Sequence, residues 1–98
     1  MAVEVIFKKR FVNNLIKVQI YLEKEWGEET AARFLKKIDN RINMLKSYPN
    51  SGISSEKIRG VRGLLITKHN MLFYKVDGNN IVILNLYDTR SNPTNRSF

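Results

Sequence analysis

With 98 residues the chain forms one domain, large enough for a modest core and with little stability to spare. Cysteine is absent and histidine occurs once, which excludes a disulfide framework and argues against a thiolate or histidine metal site, so no cofactor is expected. Seventeen Lys and Arg against nine Asp and Glu leave a charge of +8, which points to an acidic partner: nucleic acid, an enzyme that handles it, or an acidic protein.

Val3-Glu4-Val5-Ile6-Phe7 suits a short strand at the edge or centre of a sheet. A helical pattern follows, in which Phe7, Phe11, Leu15, Val18 and Leu22 recur at spacings of three and four and make one apolar stripe. Lys8-Lys9-Arg10 offers no capping side chain at its start. Trp26-Gly27 breaks the helix, and Trp26 is expected to pack as core at the tip. Glu28 and Glu29 then favour a new helix N-terminus through the macrodipole. In the second helix Ala31, Phe34, Leu35, Ile38, Ile42 and Leu45 form a continuous stripe, so the pair reads as an antiparallel helical hairpin. Tyr48-Pro49-Asn50-Ser51-Gly52 ends it, and Ile53 to Glu56 reads as loop.

Three strand-like runs close the chain, rich in β-branched and aromatic residues and separated by Gly, Asn and Asp. They are Ile58 to Thr67, Met71 to Val76 and Ile81 to Arg90, joined by Lys68-His69-Asn70 and by Asp77-Gly78-Asn79-Asn80. Asp77-Gly78 is a strong hairpin signal. On the last run Val82, Leu84 and Leu86 should face one way and Ile83, Asn85 and Tyr87 the other. Apolar residues on both sides make it an interior strand. The expected fold is α+β: an N-terminal strand, an antiparallel two-helix hairpin and a three-stranded antiparallel meander. Residues 1–90 are expected to form the domain and 91–98 a loose tail. No stretch approaches the ~20 apolar residues that span a bilayer, and the N-terminus lacks a signal-peptide pattern, so no membrane partner and a cytoplasmic location are expected.

From Lys57 to Lys75 there are five positive residues and no acid. Lys57, Arg59, Arg62, Lys68, His69 and Arg90 are therefore the candidates for binding a target or nucleic acid. Guanidinium groups suit phosphate because they donate paired hydrogen bonds and stay charged. His69 is the residue type suited to general acid or base work at neutral pH. Asp88 could orient Arg90. No carboxylate pair, Ser-His-Asp set or phosphate-binding Gly-rich loop is evident.

These residues also form a familiar set. The Trp26-Gly27 break, Pro49 and Gly52 after the second helix, Val61-Arg62, Lys68-His69-Asn70, Phe73-Tyr74-Lys75-Val76 and Asp88-Thr89-Arg90-Ser91-Asn92-Pro93 resemble the RelE/ParE superfamily of bacterial toxins. The resemblance spans nearly the whole chain and is closest from Ile81 to Pro93. It implies the toxin half of a type II toxin–antitoxin pair, a group that includes plasmid stabilisation proteins, with two helices against an antiparallel sheet. The implied partner is an acidic antitoxin that folds onto the basic sheet edge and helices. RelE-like members are ribosome-dependent messenger RNA endonucleases, and the matching catalytic set here would be Arg62, His69 and Arg90. ParE-like members instead inhibit DNA gyrase and are not catalysts.

Two departures favour the second kind. Met71 stands where the nuclease pattern has an Arg before Leu72-Phe73-Tyr74, and Arg96-Ser97-Phe98 replaces the expected terminal Tyr or His. Losing the main phosphate-stabilising group typically costs a nuclease a few kcal/mol of barrier. The expected function is thus a ParE-like gyrase inhibitor, with a RelE-like messenger RNA endonuclease acting at the ribosome as the alternative. A non-catalytic RNA-binding domain, with Tyr74 and Tyr87 stacking bases, is a third class. Its element order does not match the common four-stranded RNA-binding fold.

Overall fold

The computed structural model describes residues 3–88, so Arg90 and the tail expected over 91–98 lie outside the described residues. The elements run β1 (Glu4–Phe7), α1 (Lys9–Trp26), α2 (Glu28–Ser47), β2 (Ile53–Ser54), β3 (Val61–Thr67), β4 (Asn70–Asp77) and β5 (Asn80–Asp88). They form one five-stranded sheet in the order β1-β5-β4-β3-β2. The meander β3-β4-β5 is antiparallel. β1 takes the sheet edge beside β5, parallel to it, with Val5 opposite Ile81 and Phe7 opposite Ile83. The segment expected as loop after α2 contains β2, two residues that pair with Gly63 and Arg62. Two residues are too few to show a period of two, so the sequence carries no strand signal there.

The helices follow the apolar stripes. Phe11 on α1 and Phe34, Ile38, Ile42 and Leu45 on α2 enter one core with Ile66, Leu72, Tyr74, Ile81, Ile83 and Leu86 of the sheet. Leu15, Val18 and Leu22 pack against it half-buried. No side chain caps α1 at Lys8, as its basic start predicts. A single residue joins the two helices. Gly27 ends α1 by donating its N–H to the Glu23 carbonyl (3.1 Å) and starts α2 by accepting from the Ala31 N–H (3.3 Å). Its φ of 95° and ψ of 166° are open to glycine and very costly for any other residue.

Trp26 does not join the core. It is 69% exposed, because the hairpin tip faces turn residues of the sheet across an open groove rather than a strand surface. The β4–β5 turn also differs in detail from its Asp-Gly signal. Asp77 pairs with Asn80, so the two loop residues are Gly78 and Asn79. Glycine at the first loop position with φ 60°, and no positive φ at Asn79, fits a type II′ turn rather than type I′.

Strand parity on β5 is broken once. Phe73 pairs with Asn85 and Tyr74 with Ile83, leaving Leu84 unmatched in a bulge. Leu86 therefore joins Ile83 in the helix-side core. Tyr87 and Leu84 join Val61, Phe73 and Met71 in a second, smaller cluster. The expected grouping of Val82, Leu84 and Leu86 fails for this reason: one inserted residue reverses every side chain beyond it.

Candidate functional site

The five predicted basic residues that lie within the described range do not form one surface. Lys57, Arg59 and Arg62 sit before and at the start of β3, whereas Lys68 and His69 form the turn at its far end. Arg62 and Thr67 are about 17 Å apart at 3.3 Å per strand residue. Arg90 lies outside the described residues.

At the first end, the Ser55 hydroxyl oxygen accepts from the N–H groups of Lys57 and Ile58 (both 3.2 Å), which ties the loop carrying Lys57 and Arg59 into a tight turn. Arg62, half-buried, reaches to the loop between α2 and β2. Its Nη1 donates to the carbonyls of Gly52 (2.9 Å) and Asn50 (3.4 Å). The same loop is held by Tyr74, whose hydroxyl accepts from the Gly52 N–H (2.9 Å) and donates to the Pro49 carbonyl (2.8 Å). Arg62 thus does structural work, fastening the chain between α2 and β2. Tyr74 is fully buried, and Tyr87 is buried with an edge contact to Phe73, so neither offers an open ring face for stacking a base.

At the second end, the Thr67 hydroxyl accepts from the His69 N–H (3.1 Å) and donates to the Asn70 carbonyl oxygen Oδ1 (2.9 Å). This fixes the turn beside Asp88, which pairs with Asn70 across the sheet. His69 here lines a cavity of about 920 Å³ between the helical hairpin and the end of the sheet. Val18, Leu22 and Phe34 supply apolar lining, and Tyr21 and Trp26 stand at the exposed helix tip. Lys17, Arg33, Lys36 and Lys37 bring four permanent positive charges to this lining, against one carboxylate, Asp88. Arg33 also pairs with exposed Glu29 (3.4 Å), one turn away on the helix, a contact of little energetic weight.

Sequence reasoning missed these four helix cations because they look like the solvated side of amphipathic helices. Their signal was the grouping of Arg33, Lys36 and Lys37 at helical spacing on one flank of α2. Periodicity gives the flank but not the fact that a β-turn faces it. Among the described residues, no group of three His, Cys, Asp or Glu is placed to hold a metal, and no helix is long and apolar enough to cross a membrane.

A basic groove with an apolar floor and aromatic rim suits an acidic, amphipathic segment more than a small substrate. The family model for the ParE toxin of the type II toxin–antitoxin system parDE matches residues 5–93. Among solved structures, a chain from the chromosomal ParDE toxin–antitoxin system of P. aeruginosa is similar with a TM-score of 0.75 at 20% identity, over 88% of this chain and 95% of that one. The YoeB/ParE toxin from Agrobacterium tumefaciens gives 0.65 at 15% identity, over 87% and 96%. A chain of the heterotetrameric YoeB–YefM toxin–antitoxin complex from Staphylococcus aureus gives 0.57 at 18%, over 89% and 97%. At these identities the structural likenesses show a shared fold. No curated protein sequence matches the chain.

Proposed function

This chain belongs to the ParE toxin family of type II toxin–antitoxin systems, and from that premise we propose that it arrests growth by binding DNA gyrase rather than by cutting messenger RNA. The observation that carries this reading is the separation of Arg62 from His69. A nuclease needs its phosphate-stabilising cation and its proton-transfer group at one scissile phosphate, within hydrogen-bond reach of it. Here Nη1 of the Arg62 guanidinium is held by the Gly52 and Asn50 carbonyls, and His69 sits at the opposite end of β3. Met71, at the position of the nuclease arginine, packs beside Gly63 in the second apolar cluster. A binding toxin needs none of these groups to converge.

Purified protein should block gyrase supercoiling and leave translation of a reporter intact in a coupled extract. Translation arrest with cleaved message and untouched supercoiling is the result that overturns the proposal and restores the endonuclease.

The partner that this family membership supports is an acidic antitoxin, and the groove between the hairpin and the β3–β4 turn is its proposed seat. The double substitution Arg33→Glu, Lys37→Glu should weaken antitoxin binding at least tenfold at low salt. It should also flatten the salt dependence, since two attractive contacts become repulsive. Both residues are exposed, so the melting temperature should move little. Calorimetric titration at two salt concentrations checks this, and unchanged affinity would remove the groove from the interface.

A further inference from the structure

We propose that the outward face of α1 is a pairing surface on which two copies of this chain associate about a two-fold axis passing beside Ile16. The groove lies on one flank of α1, where it is lined by Lys17, Val18, Tyr21 and Leu22. A different flank carries Val12, Ile16 and Ile20, which are 38%, 48% and 60% exposed. None of the three lines the groove or belongs to either core cluster. Three β-branched apolar side chains at successive turns form a continuous exposed ridge, which a monomer has no use for.

The ends of the ridge identify its occupant. Lys9 and Glu23 lie on the same flank, and the series Lys9, Val12, Ile16, Ile20, Glu23 has spacings of three, four, four and three. It is symmetric about Ile16 in position and antisymmetric in charge. In an antiparallel pairing of two such helices, Ile16 meets Ile16, Val12 meets Ile20, and Lys9 of each copy meets Glu23 of the other. Isologous contact demands this kind of self-complementarity. The ridge spans about 21 Å at 1.5 Å per residue, three to four turns, enough for one helix-on-helix seam. Among the described residues neither Lys9 nor Glu23 has an ion-pair partner within its own chain. The Gln19 amide donates to the Glu23 carboxylate (3.2 Å), keeping it on this flank. One helix seam is at the small end of specific interfaces, so the dimer should dissociate on the order of micromolar concentrations.

Sedimentation velocity on the purified chain, free of antitoxin, across a concentration series tests this. The wild type should pass from monomer to dimer. Ile16→Glu should raise the dissociation constant at least tenfold. Lys9→Glu and Glu23→Lys, each placing like charges opposite one another twice, should each raise it about fivefold. The double swap Lys9→Glu, Glu23→Lys should return it to within about twofold of the wild type. A chain that stays monomeric at all concentrations overturns the proposal, as does a double swap no better than either single variant. Ile16→Glu that weakens antitoxin binding without changing self-association overturns it too, and would assign the ridge to the antitoxin. Should Ile16→Glu fail to fold, the charge-swap series decides alone, because all its positions are exposed.

Discussion

Gly52→Ala is expected to cost about 3–5 kcal/mol of folding free energy, a large part of what a chain of this size has to spare. The reason is space rather than backbone conformation. A Cβ at Gly52 would lie 2.7 Å from the Tyr74 hydroxyl oxygen, 2.8 Å from its Cε1 and 2.9 Å from the Gly63 carbonyl oxygen. None of these can step aside cheaply. Tyr74 is fully buried in the main core, and Gly63 is locked between Ile53 and Phe73 in neighbouring strands. Moving the loop instead would break the bonds from the Gly52 N–H to Tyr74 and from Arg62 to the Gly52 carbonyl. Tyr74→Phe removes one of the three collisions, so the double variant should be less destabilised than the sum of the singles, without recovering the wild type. Gly27→Ala provides the contrast. It meets open space, and its cost of about 1–3 kcal/mol comes only from φ 95°. Urea unfolding of the four proteins checks the set. A loss under 1 kcal/mol for Gly52→Ala would mean that the loop is not anchored by Tyr74 and Arg62 as described.

The order of the elements was legible because it rests on local periods. Phe11, Leu15, Val18 and Leu22 repeat with the helix, and short β-branched runs between Gly, Asn and Asp repeat with strands. What periodicity does not encode is where one residue is inserted. The bulge at Leu84 and the two-residue strand at Ile53 therefore escaped it, and with the bulge went the facing of Leu86. The candidate site shows the same limit at a larger scale. An acid-free stretch in sequence was read as one surface, but β3 is extended, so residues six or seven apart in it end up at opposite ends of the sheet. Arg62 looked like a phosphate ligand because its type allows it. Only the loop beside it shows that Nη1 is bonded to the Gly52 and Asn50 carbonyls. The helix cations Lys17, Arg33 and Lys37 were the reverse case, ordinary in pattern and brought to a groove by tertiary packing alone. Trp26 joined them at the groove because a one-residue link leaves the hairpin tip facing turn residues instead of a strand.

Leu72→Ala is expected to cost about 3–4 kcal/mol, and Ile20→Ala close to nothing, although both remove the same volume from an apolar side chain. Leu72 is fully buried. Its strand is held on both sides, with Leu72 opposite Leu64 in β3 and Leu86 in β5. Core sites lose most when their surroundings cannot collapse into the space left behind. A residue in a doubly paired central strand is such a site, because closing the cavity would mean bending two hydrogen-bonded ladders. For a chain of 98 residues the loss should lower the melting temperature by roughly 15–25 °C. Ile20 is 60% exposed, so its truncation removes little buried surface, and any effect should appear in self-association and not in unfolding. An antitoxin that binds only the folded toxin should restore part of the stability lost in Leu72→Ala, by an amount that grows with its free concentration. Thermal scans of both variants, with and without partner, separate the cases. Should Leu72→Ala melt within 5 °C of the wild type, the helix side of β4 is not packed by the hairpin in the way described, and the groove that depends on that packing loses its frame.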